Sequence, residues 1–198
     1  MLYWLVHDTL KKFQYVYKDA SFLGFSRSVC LQCNRQIGTP QYRREAPHLI
    51  LEGGKVYPDY LQFCGAGNQL FLISDRALEI FEKNRITGYS GYQLATAETS
   101  IQGGGVDRLP EYYCLNVSGR VDVDYATMHI KKKRVCPQCG QFEWSRMRLE
   151  PIILDHTTWD GSDLCLVDSL QGFRVCSERA KQIIHDHKLT GFSVKATR

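Results

Sequence analysis

The chain has 198 residues, of which 43% are hydrophobic and 12% aromatic, so it is long and apolar enough for a packed core. Charged residues make up 23%, close to the globular average, which excludes a disordered chain. The net charge of +4 is too small to require a nucleic-acid partner and has the wrong sign for an acidic decoy of a basic nuclease.

The N-terminal segment bears on the compartment. Residues Met1 to Asp8 lack the basic start and apolar run of a signal peptide. No apolar stretch approaches the roughly 20 residues that cross a bilayer, so no membrane partner is expected. We therefore expect a cytoplasmic protein, in which eight cysteines favour metal binding over disulfides.

Two short patterns open the chain. Phe13, Tyr15 and Tyr17 recur with a period of two, which is typical of a β-strand. Cys30 and Cys33 follow as a Cys-x-x-Cys turn. Such a turn points two thiolates at one metal ion, and its backbone N–H groups support the sulfurs.

The segment that begins at Ser74 predicts the first helix. Ser74 is an N-cap candidate, because its oxygen can accept a hydrogen bond from a free N–H group of the first turn. Ala77, Ile80 and Phe81 form an apolar stripe with helical spacing. Gly88 lies just past the last apolar turn, so we expect a helix of about three turns that ends before it.

A glycine run and a strand pattern follow. Gly103–Gly105 forms a natural joint in the chain. Beyond it, apolar residues alternate on either side of Ser118-Gly119, which predicts a β-hairpin. The alternating residues are Tyr113, Leu115, Val117, Val121, Val123 and Tyr125.

A second Cys-x-x-Cys turn lies at Cys136 and Cys139, between the basic run Lys131–Arg134 and Gly140. This context fits a zinc knuckle better than a thioredoxin-type dithiol, which should open a helix after a core strand. We predict one structural Zn²⁺ held by Cys30, Cys33, Cys136 and Cys139, with no open coordination position. The alternative is two independent redox or core pairs.

The other four cysteines are interpreted as core residues. A buried free cysteine behaves as a small hydrophobic side chain. They are Cys64, Cys114, Cys165 and Cys176.

The chain contains an internal repeat. Residues 177–193 (SERAKQIIHDHKLTGFS) align without a gap on residues 74–90 (SDRALEIFEKNRITGYS), with seven identities. Upstream, Leu2-Tyr3-Trp4-Leu5 resembles Tyr112-Tyr113-Cys114-Leu115, and Pro58-Asp59 matches Trp159-Asp160 if two residues are inserted.

The repeat sets the predicted fold class. We expect an α+β protein of two similar lobes, residues 1–105 and 106–198, each with antiparallel strands and one helix. The four-cysteine zinc site would join the two lobes.

Two rival functions remain open. The run Lys131–Arg134 beside a zinc knuckle is the best nucleic-acid feature, although a solvated strand end is the preferred interpretation. An enzyme would place its site near His156 and Trp159–Asp163, a stretch that more often forms a turn with a packed aromatic residue. No established catalytic motif is present, so we predict a non-enzymatic protein.

The paired cysteine turns and the helix ending in Leu-Thr-Gly-Phe resemble the double-CXXCG motif family, a paralogous set in myxobacteria. The similarity is densest at Leu109–Tyr113, Arg134–Gly140 and Trp159–Phe192. Asn34 stands where the family has a glycine, and asparagine tolerates the left-handed backbone that this position needs. The resemblance implies an immunity protein that neutralises a cognate protein toxin by direct stoichiometric binding; a zinc-ribbon-like nucleic-acid-binding protein is the alternative.

Overall fold

The computed structural model shows an α+β protein with two helices and mostly strands, in two large sheets. It describes residues 1–7, 15–16, 28–34, 36–37, 48–52, 57–62, 71–99, 109–129, 132–139, 142–144, 152–168, 170 and 173–197. The glycine joint at 103–105 and Cys64 lie outside these residues. Neither described helix is long and apolar enough to cross a membrane.

The helices are α1 (Asp75–Lys83) and α2 (Glu178–Asp186). The strands are β1 (Leu2–His7), β2 (Tyr15–Val16), β3 (Ser28–Val29), β4 (Gln36–Ile37), β5 (His48–Glu52), β6 (Tyr60–Gln62), β7 (Phe71–Ser74), β8 (Tyr89–Thr99), β9 (Tyr112–Val117), β10 (Gly119–Val123), β11 (Lys132–Val135), β12 (Phe142–Trp144), β13 (Leu154–Asp155), β14 (Leu164–Val167), β15 (Arg174–Ser177) and β16 (Phe192–Ala196).

The strands form two six-stranded sheets and two short hairpins. Sheet 1 has the order β2-β5-β8-β9-β7-β6, and sheet 2 has the order β13-β10-β14-β15-β1-β16. Neighbouring strands are antiparallel except for the parallel pairs β5–β8 and β10–β14. The hairpins are β3–β4 and β11–β12.

Each large sheet takes one strand from the other half of the chain. Strand β1 joins the C-terminal strands of sheet 2, where Leu2 lies opposite Ser177. Strand β9 joins the N-terminal strands of sheet 1, where Tyr112 lies opposite Ser74. A division at residue 105 therefore does not separate the sheets.

The hairpin prediction around Ser118 is wrong. Strands β9 and β10 exist, but β9 pairs with β7 and β8 in sheet 1, whereas β10 pairs with β13 and β14 in sheet 2. A single residue, Ser118, links them, and the common tight hairpins need at least two loop residues. The N–H groups of Ser118 and Gly119 both donate to the carbonyl of Gly88, at 2.8 and 3.1 Å. The chain thus passes from one sheet to the other.

Both predicted helices are present, and their caps are equivalent. The Ser74 and Ser177 side chains accept hydrogen bonds from the Ala77 and Ala180 N–H groups, each at 3.1 Å. An acidic residue follows each cap and suits the positive end of the helix dipole. The local sequence signals therefore decide where each helix begins.

One hydrophobic cluster joins both helices and both sheets. Phe81 of α1 and Ile184 of α2 belong to it, together with Ile73 of sheet 1 and Cys176 of sheet 2. Two further clusters include Leu72 of sheet 1 and Val175 of sheet 2. Because neighbouring strand residues point to opposite faces, each sheet is covered on both sides. The halves therefore share their central core.

A buried carboxylate links the N-terminus of α1 to the residues that follow α2. Asp59 accepts hydrogen bonds from the Ser74 hydroxyl at 2.8 Å and the Arg76 guanidinium at 2.8 Å. It also accepts from the N–H and hydroxyl of Thr190, at 2.7 and 3.0 Å. Its side chain is only 8% exposed. Removing this carboxylate would leave several buried donors unpaired.

The same arrangement recurs with the halves reversed. Asp163 accepts from the Ser177 hydroxyl at 2.6 Å, from Arg179 at 2.5 Å, and from the N–H and hydroxyl of Thr87 at 2.9 and 3.0 Å. The match of Asp59 with Asp160 expected from the alignment is therefore wrong, since Asp163 makes the equivalent bonds. Each half thus holds the other through one aspartate.

Candidate metal centre

Each cysteine turn connects the two strands of a short hairpin. Cys30 and Cys33 lie between β3 and β4, and Cys136 and Cys139 lie between β11 and β12. Asn34 has a φ of 56° and donates its N–H to the Cys30 carbonyl at 2.8 Å. The first turn therefore adopts the left-handed backbone that asparagine tolerates better than most residues.

The structure brings all four cysteines together. Their sulfur atoms all lie within 4.8 Å of one another. The Cys30–Cys136 and Cys33–Cys139 sulfur pairs are each 3.7 Å apart. A tetrahedral ion with bonds of about 2.3 Å to sulfur requires sulfur–sulfur distances of about 3.8 Å. These two distances match that value, and the four thiols are close enough together to hold a single metal ion.

Backbone N–H groups prepare the sulfurs for ionisation. The Cys33 N–H group bonds the Cys30 sulfur and lowers the pKa of that thiol. The Cys139 N–H group does the same for Cys136 and lowers its pKa to about 6. Because thiolates are the metal-binding form of cysteine, these bonds favour coordination at neutral pH.

Two glutamines connect the turns. The side-chain oxygen of Gln32, in the first turn, lies 3.8 Å from the Cys136 sulfur. The side-chain oxygen of Gln138, in the second turn, lies 3.6 Å from the Cys30 sulfur. Once the cysteines are thiolates, an amide turned to present its NH₂ group would donate to them. Sequence analysis overlooked these residues, although both turns read Cys-x-Gln-Cys.

The described cysteines outside this cluster have core environments. Cys165 and Cys176 are 1% and 0% exposed, and burial raises the pKa of each thiol to about 12. Burial likewise raises the pKa of Cys114 to about 11. These values disfavour thiolates, in agreement with the predicted packing role.

The residues proposed for an enzymatic site, His156 and Trp159–Asp163, have different environments and different roles. His156 is exposed in a short 3₁₀ turn. The Trp159 indole donates to the Ser162 carbonyl at 2.9 Å and packs on the core of sheet 2. An open cavity of about 420 Å³ includes Trp159, Asp163 and Arg179 in its wall. The carboxylate and guanidinium of that cavity bond each other and hold the helix cap.

The structure describes only part of the basic run Lys131–Arg134. Lys132 to Arg134 belong to β11, which leads directly into the second cysteine turn, and Lys131 lies outside the described residues. The strand Lys132–Val135 pairs only with β12 in the described part of the chain.

No protein-family model matches this chain, and no curated protein matches it in sequence. The functional interpretation therefore depends on the geometry of the thiols and of the surfaces around them. Within the described residues, Cys30, Cys33, Cys136 and Cys139 form the group that could hold a metal ion.

Proposed function

We propose that the protein is an immunity protein, which neutralises a cognate toxin by direct stoichiometric binding and uses one zinc ion as a structural element. The observation that carries the proposal is the cluster of four thiols, which lie close enough together to hold one ion. An ion with four cysteine ligands has no open position for substrate or water. Its role is then to hold two distant turns together.

Zinc is the ion that suits this site best. Four thiolates in a tetrahedron select zinc or an iron–sulfur centre. Two hairpin turns that meet around one ion are typical of structural zinc sites, whose ligands come in closely spaced pairs. The bound ion would tie residues 30–33 to residues 136–139 and so limit the relative motion of the two halves.

A rigid frame favours recognition of a folded partner. The exchanged strands and the buried aspartates connect the two halves independently of the metal. A preformed surface loses little conformational entropy on binding. Stable recognition needs on the order of 800 Å² per partner. The described surface includes Tyr92 and Leu94 of β8, which are 48% and 46% exposed and are typical anchors for an interface.

The chain is, in this proposal, a repeat of two α+β units that exchange their first strands. The equivalent hydrogen bonds of Asp59 and Asp163 support it, as do the equal cap distances of the helices. The register also supports it, because Leu2 and Tyr112 each lie opposite the N-cap serine of a helix. By this exchange, β1 of the first half completes sheet 2, and β9 of the second half completes sheet 1.

The proposal predicts that a toxin domain is encoded beside this protein, and the test of the function uses that domain. Purified toxin and increasing amounts of this protein are mixed, and residual toxin activity is measured against the molar ratio. Binding predicts complete protection at one equivalent and a stable complex on size-exclusion chromatography. Protection by trace amounts would mean an enzymatic antidote and would reject the binding mechanism.

A nucleic-acid-binding zinc module remains the second candidate, because β11, which contains Lys132 to Arg134, directly precedes the second cysteine turn in the chain. Those cations would neutralise phosphates and release counterions. The same residues would also balance the charge of a four-thiolate zinc site. Salt-dependent binding of single- or double-stranded nucleic acid, lost when all three residues are changed to glutamine, would favour this candidate over the immunity role.

A further inference from the structure

A groove of about 650 Å³ lies between α2 and β16, at the edge of sheet 2. Apolar side chains line its floor. They are Ile184 from the helix, Leu189 from the segment between α2 and β16, and Phe192 and Val194 from the strand. Strand β16 pairs with β1 on one side, and among the described residues no strand pairs with its other side. The groove therefore runs beside an open sheet edge.

The rim of the groove is basic. Lys181, His185 and Lys188 line it together with Gln182, and no described acidic residue is among the lining groups. The Lys181 ammonium lies 3.9 Å from the centre of the Tyr3 ring and 3.0 Å from a Glu178 carboxylate oxygen. Two lysines on the rim still favour a ligand with negative charge.

The first half of the chain closes the corresponding place. Tyr92 lies opposite Leu115 of β9, just as Val194 lies opposite Leu5 of β1. The Glu82 carboxylate of α1 raises the pKa of Tyr92, so the two side chains face each other and bridge helix and strand. Val194 is too short and apolar to form such a bridge.

The helix residues differ in the same way. Glu82 and His185 each lie eight positions after the serine that caps their helix. His185 is exposed, and its ring nitrogen lies 3.4 Å from a carboxylate oxygen of Asp186, the next residue of α2. The two exchanges, tyrosine to valine and glutamate to histidine, leave the second groove open and remove a carboxylate from its rim.

We propose that this groove is a contact site for a protein partner that adds a strand to the free edge of β16. The incoming strand would place apolar side chains over Phe192 and Val194 and acidic side chains beside Lys181 and Lys188. Strand addition takes its affinity from main-chain hydrogen bonds and its specificity from alternate side chains. The identification of this partner as the toxin rests on the proposed function.

The probe is a labelled peptide, Glu-Glu-Val-Thr-Val-Thr-Val-Glu-Glu, whose odd positions share one face of a strand. Its binding to the full-length protein is measured by fluorescence anisotropy. The same peptide with lysine for glutamate should bind at least tenfold more weakly. Equal binding of both peptides would overturn the charge assignment.

Protein variants locate the binding. Val194→Tyr combined with His185→Glu should close the groove as in the first half and weaken the acidic peptide at least tenfold. Lys188→Glu should also weaken it. Arg85→Glu is the matched control, because Arg85 follows α1 as Lys188 follows α2, with φ values of 52° and 50°. Unchanged affinity in the closed variant, with an unchanged melting temperature, would overturn the proposal.

Other occupants of the groove would give different experimental results. A dimer that light scattering detects in wild type but not in the closed variant would place a second copy in the groove and reject the proposal. Groove-dependent binding to phosphatidylglycerol vesicles, without peptide binding, would reject it in favour of a lipid.

Measurements with the toxin distinguish a failure of the groove assignment from a failure of the immunity function. If the closed variant neutralises the toxin as wild type does, the immunity function stands and the groove assignment fails. If the acidic peptide binds the groove but no toxin complex forms, the groove stands and the immunity function fails.

Discussion

Asp163 accepts two hydrogen bonds from Thr87, a residue 76 positions earlier, at 2.9 Å from the N–H and 3.0 Å from the hydroxyl. A third hydrogen bond runs in the opposite direction, because the Asp163 N–H donates to the Thr87 hydroxyl at 3.1 Å. Asp59 and Thr190 make the same three bonds in the opposite direction. A pair of polar contacts thus fixes how the two halves meet.

Asp163→Asn should destabilise the protein by about 2–4 kcal/mol, because it removes the charged acceptor of the half-exposed Arg179 and leaves the buried cap serine poorly paired. Chemical denaturation monitored by tryptophan fluorescence measures the loss. Asp168→Asn is the control, since the Asp168–Arg120 pair is half exposed and should contribute less than about 1 kcal/mol. Equal effects of the two changes would contradict the structural role of Asp163.

The same carboxylate makes stability depend on pH. Burial raises the pKa of Asp163, but hydrogen bonds from Arg179, Ser177 and Thr87 outweigh it and lower the pKa to about 2. A lowered folded-state pKa contributes stability above the unfolded value near 4, and this contribution is lost as the pH falls toward 2. The stability difference between wild type and Asp163→Asn should therefore shrink by about 1–2 kcal/mol between pH 5 and pH 2. A constant difference would assign the effect of the mutation to packing.

The metal prediction is one zinc ion per chain. Cys136→Ser should lower the melting temperature of the whole protein and its zinc content together, because ligand loss releases a tie between residues 30–33 and 136–139. Elemental analysis and thermal melts of the two proteins provide the measurements. Cys165→Ser, at a buried site away from the cluster, should retain the zinc. An unchanged zinc content in Cys136→Ser would remove Cys136 from the ligand set.

Gln32 and Gln138 should tune the metal site without binding the ion. Replacing both by alanine should weaken zinc affinity about 10- to 100-fold, the usual effect of losing groups that support the ligands. Competition with a chromophoric chelator measures the affinity. Leu31→Ala is the control in the same turn, because its side chain is 93% exposed. If both variants bound zinc like wild type, the glutamine contacts would have no role in affinity.

Local signals predicted the helices and the cysteine turns, because capping, helical spacing and the Cys-x-x-Cys geometry depend on neighbouring residues. The seven identities between the matched segments include Ser74, Arg76, Thr87 and Gly88. Thr87 and Gly88 contact the other half directly, whereas Ser74 and Arg76 bind the Asp59 carboxylate that does so. Gly88 lies where a side chain would collide with the Leu164 carbonyl. The identical residues thus mark the contact between the halves, whereas from the sequence they predicted only that the two halves are similar lobes.

Partners distant in the chain could not be predicted. Alternation shows that residues 113–117 and 119–123 form strands, but a period of two does not say which strand lies beside them. The turn Trp159–Asp163 contains two aspartates, and only the contact with Thr87 identifies Asp163 as the counterpart of Asp59. Gln32 and Gln138 are likewise present in the sequence, but their contacts with the cysteine sulfurs depend on how the two turns face each other.

Strand exchange leads to the last prediction, which concerns fragments. Residues 1–105 lack β9 and residues 106–198 lack β1, and each missing strand lies inside a six-stranded sheet. Separately expressed fragments should therefore remain unfolded or aggregate, because removing a central strand exposes backbone groups and apolar side chains on both neighbours. Mixed from denaturant with zinc, the two fragments should form a 1:1 complex with the circular dichroism spectrum of the intact chain. A fragment 1–105 carrying Asp59→Asn should associate more weakly, since it loses the contact with Thr190. If either fragment alone gave a cooperative thermal transition and resisted proteolysis, the strand that it borrows would be dispensable, and two independently folding lobes would replace the exchanged arrangement.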